Sequence, residues 1–122
     1  NSFPVVTPSA AGANLSPAST PVCGAIVTIS GVTSSDQHVV TYSAVNGANT
    51  NDSRKTNDLT FSILSNSNPA LNFYLQPFRS EPWKTKLYVS SAAAGLSADV
   101  VVKVVDAGGF FDTCTLDITT TA

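Results

Sequence analysis

Ala98-Asp-Val-Val-Val-Lys-Val-Val-Asp-Ala-Gly-Gly-Phe-Phe-Asp-Thr-Cys-Thr-Leu-Asp-Ile-Thr-Thr-Thr121 decides the fold. It reads as two strands joined by an Asp-Ala-Gly-Gly turn, because β-branched residues fill both arms and glycine stands where the chain reverses. In the second arm Cys114, Leu116 and Ile118 fall on one face and Thr113, Thr115, Asp117 and Thr119 on the other. One side of such a strand is buried and the other is wet. The hairpin belongs to a sandwich, and the chain is predicted to be all-β.

Working outward, 122 residues make a single domain, 1–122, enough to enclose one core. Charged residues are only 11% of the chain, with Ser, Thr and Asn filling the gap. That neutral, hydroxyl-rich surface suits an extracellular protein. A net charge of −2 offers no basic stripe, which argues against nucleic acid and against anionic lipid. The longest apolar runs, such as Val100 to Val102, fall far short of the roughly 20 residues of a membrane helix, so no membrane insertion is expected. The start at Asn1 and the lack of Met suggest a chain trimmed of its leader or cut from a longer protein.

Residues 1–21 carry Pro4, Pro8, Pro17 and Pro21 among Ser, Thr, Ala and Gly, which predicts an extended and irregular first edge strand. Strands are predicted over 25–33 and 39–45, forming a hairpin around Thr33 to Gln37, then over 59–64, 71–75 and 85–90. Residues 46–58 form a long polar loop, and 92–96 have room for a short helical turn. The result is an antiparallel sandwich of about seven strands in the immunoglobulin-like architecture. Trp83, between Pro82 and Lys84, sits in a loop setting rather than on the central strand that carries the tryptophan of antibody domains.

Cys23 alternates with Ala25, Val27 and Ile29, and Cys114 with Leu116 and Ile118, so both cysteines are expected on buried faces where they can meet. A bridge would close a loop of about 90 residues and contribute on the order of 4 to 5 kcal/mol. It would also imply an oxidising compartment. The alternatives are two buried thiols or metal ligands, and no further Cys or His lies near enough in sequence to complete a zinc site.

Leu59-Thr-Phe-Ser-Ile63, Asn72-Phe-Tyr-Leu75, Val100-Val-Val-Lys-Val-Val-Asp-Ala-Gly-Gly109 and Cys114-Thr-Leu-Asp-Ile118 together resemble the cadherin repeat in order and spacing, over about half the chain. The resemblance implies a cadherin-like sandwich serving adhesion. It also implies calcium ligands, of which the penultimate-strand Asp has its match in Asp106. The mid-domain acidic triplet has its nearest echo in Arg79-Ser-Glu81, and no linker acids follow Thr121.

Calcium needs about six to eight oxygens on one site. Asp106 and Asp112 flank the last turn, and Asp58 closes a loop that also holds Asn49, Asn51, Asp52 and Asn57. Asp and Asn cap turns in all proteins, and this is the plainer reading of the same residues. Asn14-Leu-Ser16 and Asn51-Asp-Ser53 satisfy the rule for N-glycosylation. His38, the single histidine, is expected in an Asp36-Gln-His38 turn, and no Gly-x-Ser-x-Gly elbow accompanies it, so no enzyme is expected. Trp83 and Tyr88, if exposed on one flat face, would stack on sugar rings or anchor a protein. Two functions follow as expectations: an extracellular adhesion or matrix-assembly module acting by contact with itself or another protein, or a carbohydrate-binding, lectin-like module.

Overall fold

The alternation in the closing segment becomes two long strands in the computed structural model, which describes residues 5–9, 21–30, 36–45, 59–90 and 93–121. The strands are β1 (Val5–Ser9), β2 (Ile26–Ile29), β3 (Gln37–Val45), β4 (Thr60–Asn66), β5 (Phe73–Pro77), β6 (Lys84–Val89), β7 (Ser97–Val105) and β8 (Phe111–Thr120). On β7 Ala98, Val100, Val102 and Val104 are buried, and on β8 Cys114, Leu116 and Ile118 are buried, each with solvated neighbours between them. Each fully buried Val, Leu or Ile contributes roughly 1.5–3 kcal/mol, so this hairpin supplies much of the core.

Two four-stranded sheets enclose that core. Sheet A has the order β1-β3-β6-β5 and sheet B the order β2-β8-β7-β4. This is the strand order of an immunoglobulin-type sandwich whose first strand is shared between the sheets. β1 pairs antiparallel with β3, whereas β2 pairs parallel with β8, and the Thr28 and Thr119 hydroxyls meet across that pairing at 3.2 Å. Sheet B is therefore mixed rather than purely antiparallel.

Several expectations are corrected. The segments 25–33 and 39–45 do not form a hairpin, because β2 lies in sheet B and β3 in sheet A. Period-2 alternation is satisfied equally by facing the core from either sheet, so it does not select the partner strand. The eight strands among the described residues fit the expected sandwich of about seven, but none of these residues is helical, including the Ala93–Leu96 stretch. The described part of the first segment, β1, is a regular edge strand. Pro8 sits in it opposite Tyr42, at the sheet edge where a missing N–H is tolerated. His38 lies within β3 rather than in a turn.

Cys23 and Cys114 form a disulfide with Cα atoms 5.1 Å apart. Cys114 is buried as expected, but Cys23 is exposed, because the chain turns at Gly24 (φ 91°) and the β2 alternation begins only beyond it. A left-handed backbone there favours glycine. The bridge thus runs from an exposed turn into the interior and ties β2 to β8.

Candidate functional site

The outward side of sheet A carries aromatic residues where a solvated sheet face normally carries polar ones. β3 has a bulge between His38 and Val40 that turns Val39 and Val40 both into the core, each fully buried. The extra residue resets the alternation, so that His38 and Thr41 both face outward. His38 then stands in register with Tyr88 of β6, and Tyr88 with Tyr74 of β5.

The three rings form a row across three adjacent strands. His38 and Tyr88 have centroids 5.3 Å apart, and Tyr88 and Tyr74 are stacked at 5.4 Å with planes 10° apart. The Tyr74 hydroxyl donates to Asp36 Oδ2 at 2.7 Å, and this bond holds the phenol pKa above its ordinary value. His38 Nε2 lies 3.1 Å from Thr41 Oγ1. Partial burial, with nearby Lys86 adding to it, lowers the His38 pKa, against a smaller opposing effect of a backbone hydrogen bond with Val40. Below the row, Lys84 and Lys86 lie over the Phe78 ring, with Nζ 5.9 and 5.2 Å from its centroid, and Lys84 also pairs with Glu81 at 2.9 Å.

Tyr88 is flanked on both sides within this row. One ring face is taken by Tyr74 and the other by His38, since β6 lies between β5 and β3. Tyr88 presents an edge, whereas sugar stacking needs an open face. Trp83 packs partly against the core just before β6, and its carbonyl accepts the Ala44 N–H at 2.9 Å. The structure therefore does not bring Trp83 and Tyr88 together on one platform. Tyr74 and His38 are the partners that sequence reasoning missed. The doubled Val39-Val40 and the alternation Phe73-Tyr74-Leu75 are the signals that point to them.

Two of the acidic residues singled out for calcium, Asp106 and Asp112, are engaged with backbone N–H groups. Asp106 is buried, and its Oδ1 accepts the N–H groups of Gly108 and Phe110 at 2.9 and 3.0 Å, closing the β7–β8 turn. Gly109, at φ 88°, completes that turn by donating its N–H to the Asp106 carbonyl. Asp112 Oδ2 accepts the Val6 N–H at 3.2 Å, tying β1 of sheet A to β8 of sheet B and capping a donor on the β1 edge. Among the described residues no three His, Cys, Asp or Glu side chains gather as metal ligands would. Asp58, Asn51 and Asn14 lie outside the described residues. Among the described residues no helix is long and apolar enough to cross a membrane.

No protein-family model, no curated protein and no solved structure matches the chain.

Proposed function

We propose that the protein is an extracellular adhesion or matrix-assembly module that acts by protein–protein contact through the outer face of sheet A. The observation that carries this reading is the in-register row His38, Tyr88 and Tyr74 on that face. Aromatic side chains are enriched at interface centres, because they bury much area at small entropic cost. Lys86, two residues before Tyr88 on the same strand, places a positive charge beside the rings, where interface rims are polar. The Cys23–Cys114 bridge supports an oxidising, extracellular setting. Glycosylation at Asn51 and Asn14 belongs to the same reading. A calcium ion assisting the contact would have to draw on Asp58 together with Asp106 and Asp112, whose carboxylates already serve backbone N–H groups.

The lectin-like alternative is weakened by the covered faces of Tyr88, and it retains only the outer face of Tyr74 at the sheet edge. Cell adhesion to surfaces coated with the chain tests the two readings. Adhesion that is lost with the double substitution Tyr74→Ala and Tyr88→Ala, and lost when the cells are pretreated with protease, supports protein contact. Adhesion that survives protease and is abolished by glycosidase favours the carbohydrate reading, and adhesion indifferent to both substitutions removes sheet A from the argument.

A further inference from the structure

We infer that the partner of the sheet A face is the outer face of sheet B on a second copy of this chain, so that molecules join head to tail. The inference rests on the contact reading above and adds the identity of the partner.

Charges among the described residues are sorted by face. Lys84 and Lys86 of β6 lie on the outward side of sheet A, where Glu81 is engaged by Lys84 and Asp36 by the Tyr74 hydroxyl. Lys86 has no carboxylate partner among the described residues, and its ammonium lies over Phe78. On sheet B, Asp99 of β7 and Asp117 of β8 stand directly opposite each other on the outward side. Neither has an ion pair among the described residues, and Lys103, the cation of that face, lies over Phe111 at 4.4 Å. Like charges directly opposite across two strands are destabilising, so this pair is a cost in the isolated chain that an incoming cation relieves. In a chain with only 6 basic and 8 acidic residues, such a pair is conspicuous.

Apolar complementarity follows the same register. Ile26 of β2 is 57% exposed and lies in register with Asp117, so Ile26, Asp117 and Asp99 form a row across three strands of sheet B. Sheet A offers two parallel rows, Tyr74-Tyr88-His38 and Gln76-Lys86-Thr41. Strands in any sheet are spaced about 4.8 Å apart, so row can lie on row without misfit. Ring edges then meet Ile26 while Lys86 reaches the two carboxylates. The two faces are on opposite sides of one molecule, so the contact is heterologous and propagates as a linear array rather than closing as a two-fold dimer.

Sedimentation velocity of the intact chain tests this, with two double variants: Lys84→Glu with Lys86→Glu on sheet A, and Asp99→Lys with Asp117→Lys on sheet B. Asp99 is exposed and Lys84, Lys86 and Asp117 are half-buried on the outward faces, and circular dichroism establishes that the variants fold. The wild-type chain is expected to self-associate, and roughly tenfold less tightly at about 0.5 M than at about 0.02 M salt as screening shortens. Each double variant alone should stay monomeric, and an equimolar mixture of the two should assemble again, because each then supplies the face the other lacks. A wild-type chain that is monomeric throughout, a saturating dimer, or association lost with the sheet A variant but not the sheet B variant overturns the inference. If the wild-type chain is monomeric yet adhesion still depends on Tyr74 and Tyr88, only the second-copy partner falls. If adhesion ignores those residues as well, the contact reading falls with it.

Discussion

In the β7–β8 hairpin the inward positions hold Val, Ala, Cys, Leu and Ile, and the outward positions of β8 are mostly Thr. In the β3–β6–β5 block the inward positions are equally apolar, but the outward ones hold His38, Lys86, Tyr88 and Tyr74. The hairpin spends most of its large apolar side chains on the core, with Phe111 exposed beside Lys103 at its turn end. The block spends them on both sides, and it needs a bulge at His38/Val40 to bring the imidazole into the row. A strand pair that follows the simplest alternation serves the core, and the departure from it that gathers rings on the wet side is the feature on which the proposed contact rests.

Substitutions can break or sharpen that contrast. The largest loss is expected from removing the Cys23–Cys114 bridge, which spans 91 residues and anchors the hairpin to β2. Urea titration of the Cys23→Ser, Cys114→Ala chain should show a stability lower by about 4–5 kcal/mol. Next, Leu116→Ala, at a fully buried position of the hairpin, should cost about 2–5 kcal/mol. Tyr88→Ala on the outer face should cost clearly less in the same titration while abolishing adhesion, and equal costs would erase the distinction between the two regions.

Asp106→Ala removes an acceptor shared by two turn N–H groups and should cost about 1–3 kcal/mol, with Asp106→Asn recovering part of it. An unaltered midpoint would mean that the turn closes without its carboxylate. Inside the block, the Tyr42 and Thr85 hydroxyls face each other's strands in the core and have no partner among the described residues. Burial alone drives the Tyr42 pKa well above its ordinary value. Tyr42→Phe should therefore leave stability unchanged or raise it by about 1 kcal/mol, and a loss would reveal a hydrogen bond to water at that hydroxyl.

The smallest effect is a pH slope. The folded state lowers the His38 pKa below its ordinary value of 6.5, so the unfolded chain binds the proton more readily. Stability is then full above that ordinary value and declines as pH falls through it towards the lower folded pKa. His38→Gln should flatten the midpoint-versus-pH curve in that window, and a slope that persists must come from another group.

Much of the fold was legible because alternation and turn residues are local signals. Asp106 to Gly109 and the flanking valines announced the hairpin, and Cys114, Leu116 and Ile118 announced its buried side. Phe73, on the strand predicted over 71–75, is buried at 8% exposure. The candidate site was less legible. Tyr88 was singled out, but with Trp83, which lies on the core side, instead of with Tyr74 and His38. Ring neighbours across strands depend on register, and the bulge that sets this register is a one-residue event.

By itself, then, the sequence determined an all-β sandwich with its last hairpin, the buried side of that hairpin and a pair of cysteines, since period-2 patterning and glycine placement act within a few residues of the chain. Only the tertiary structure decided that β2 runs parallel to β8 while β3 crosses to the other sheet, that Asp106 and Asp112 bind backbone rather than standing free, and that three rings meet on sheet A. Those outcomes depend on which strands pair and in what register, and pairing is set by burying both sheets against one common core, a constraint that no local stretch of residues contains.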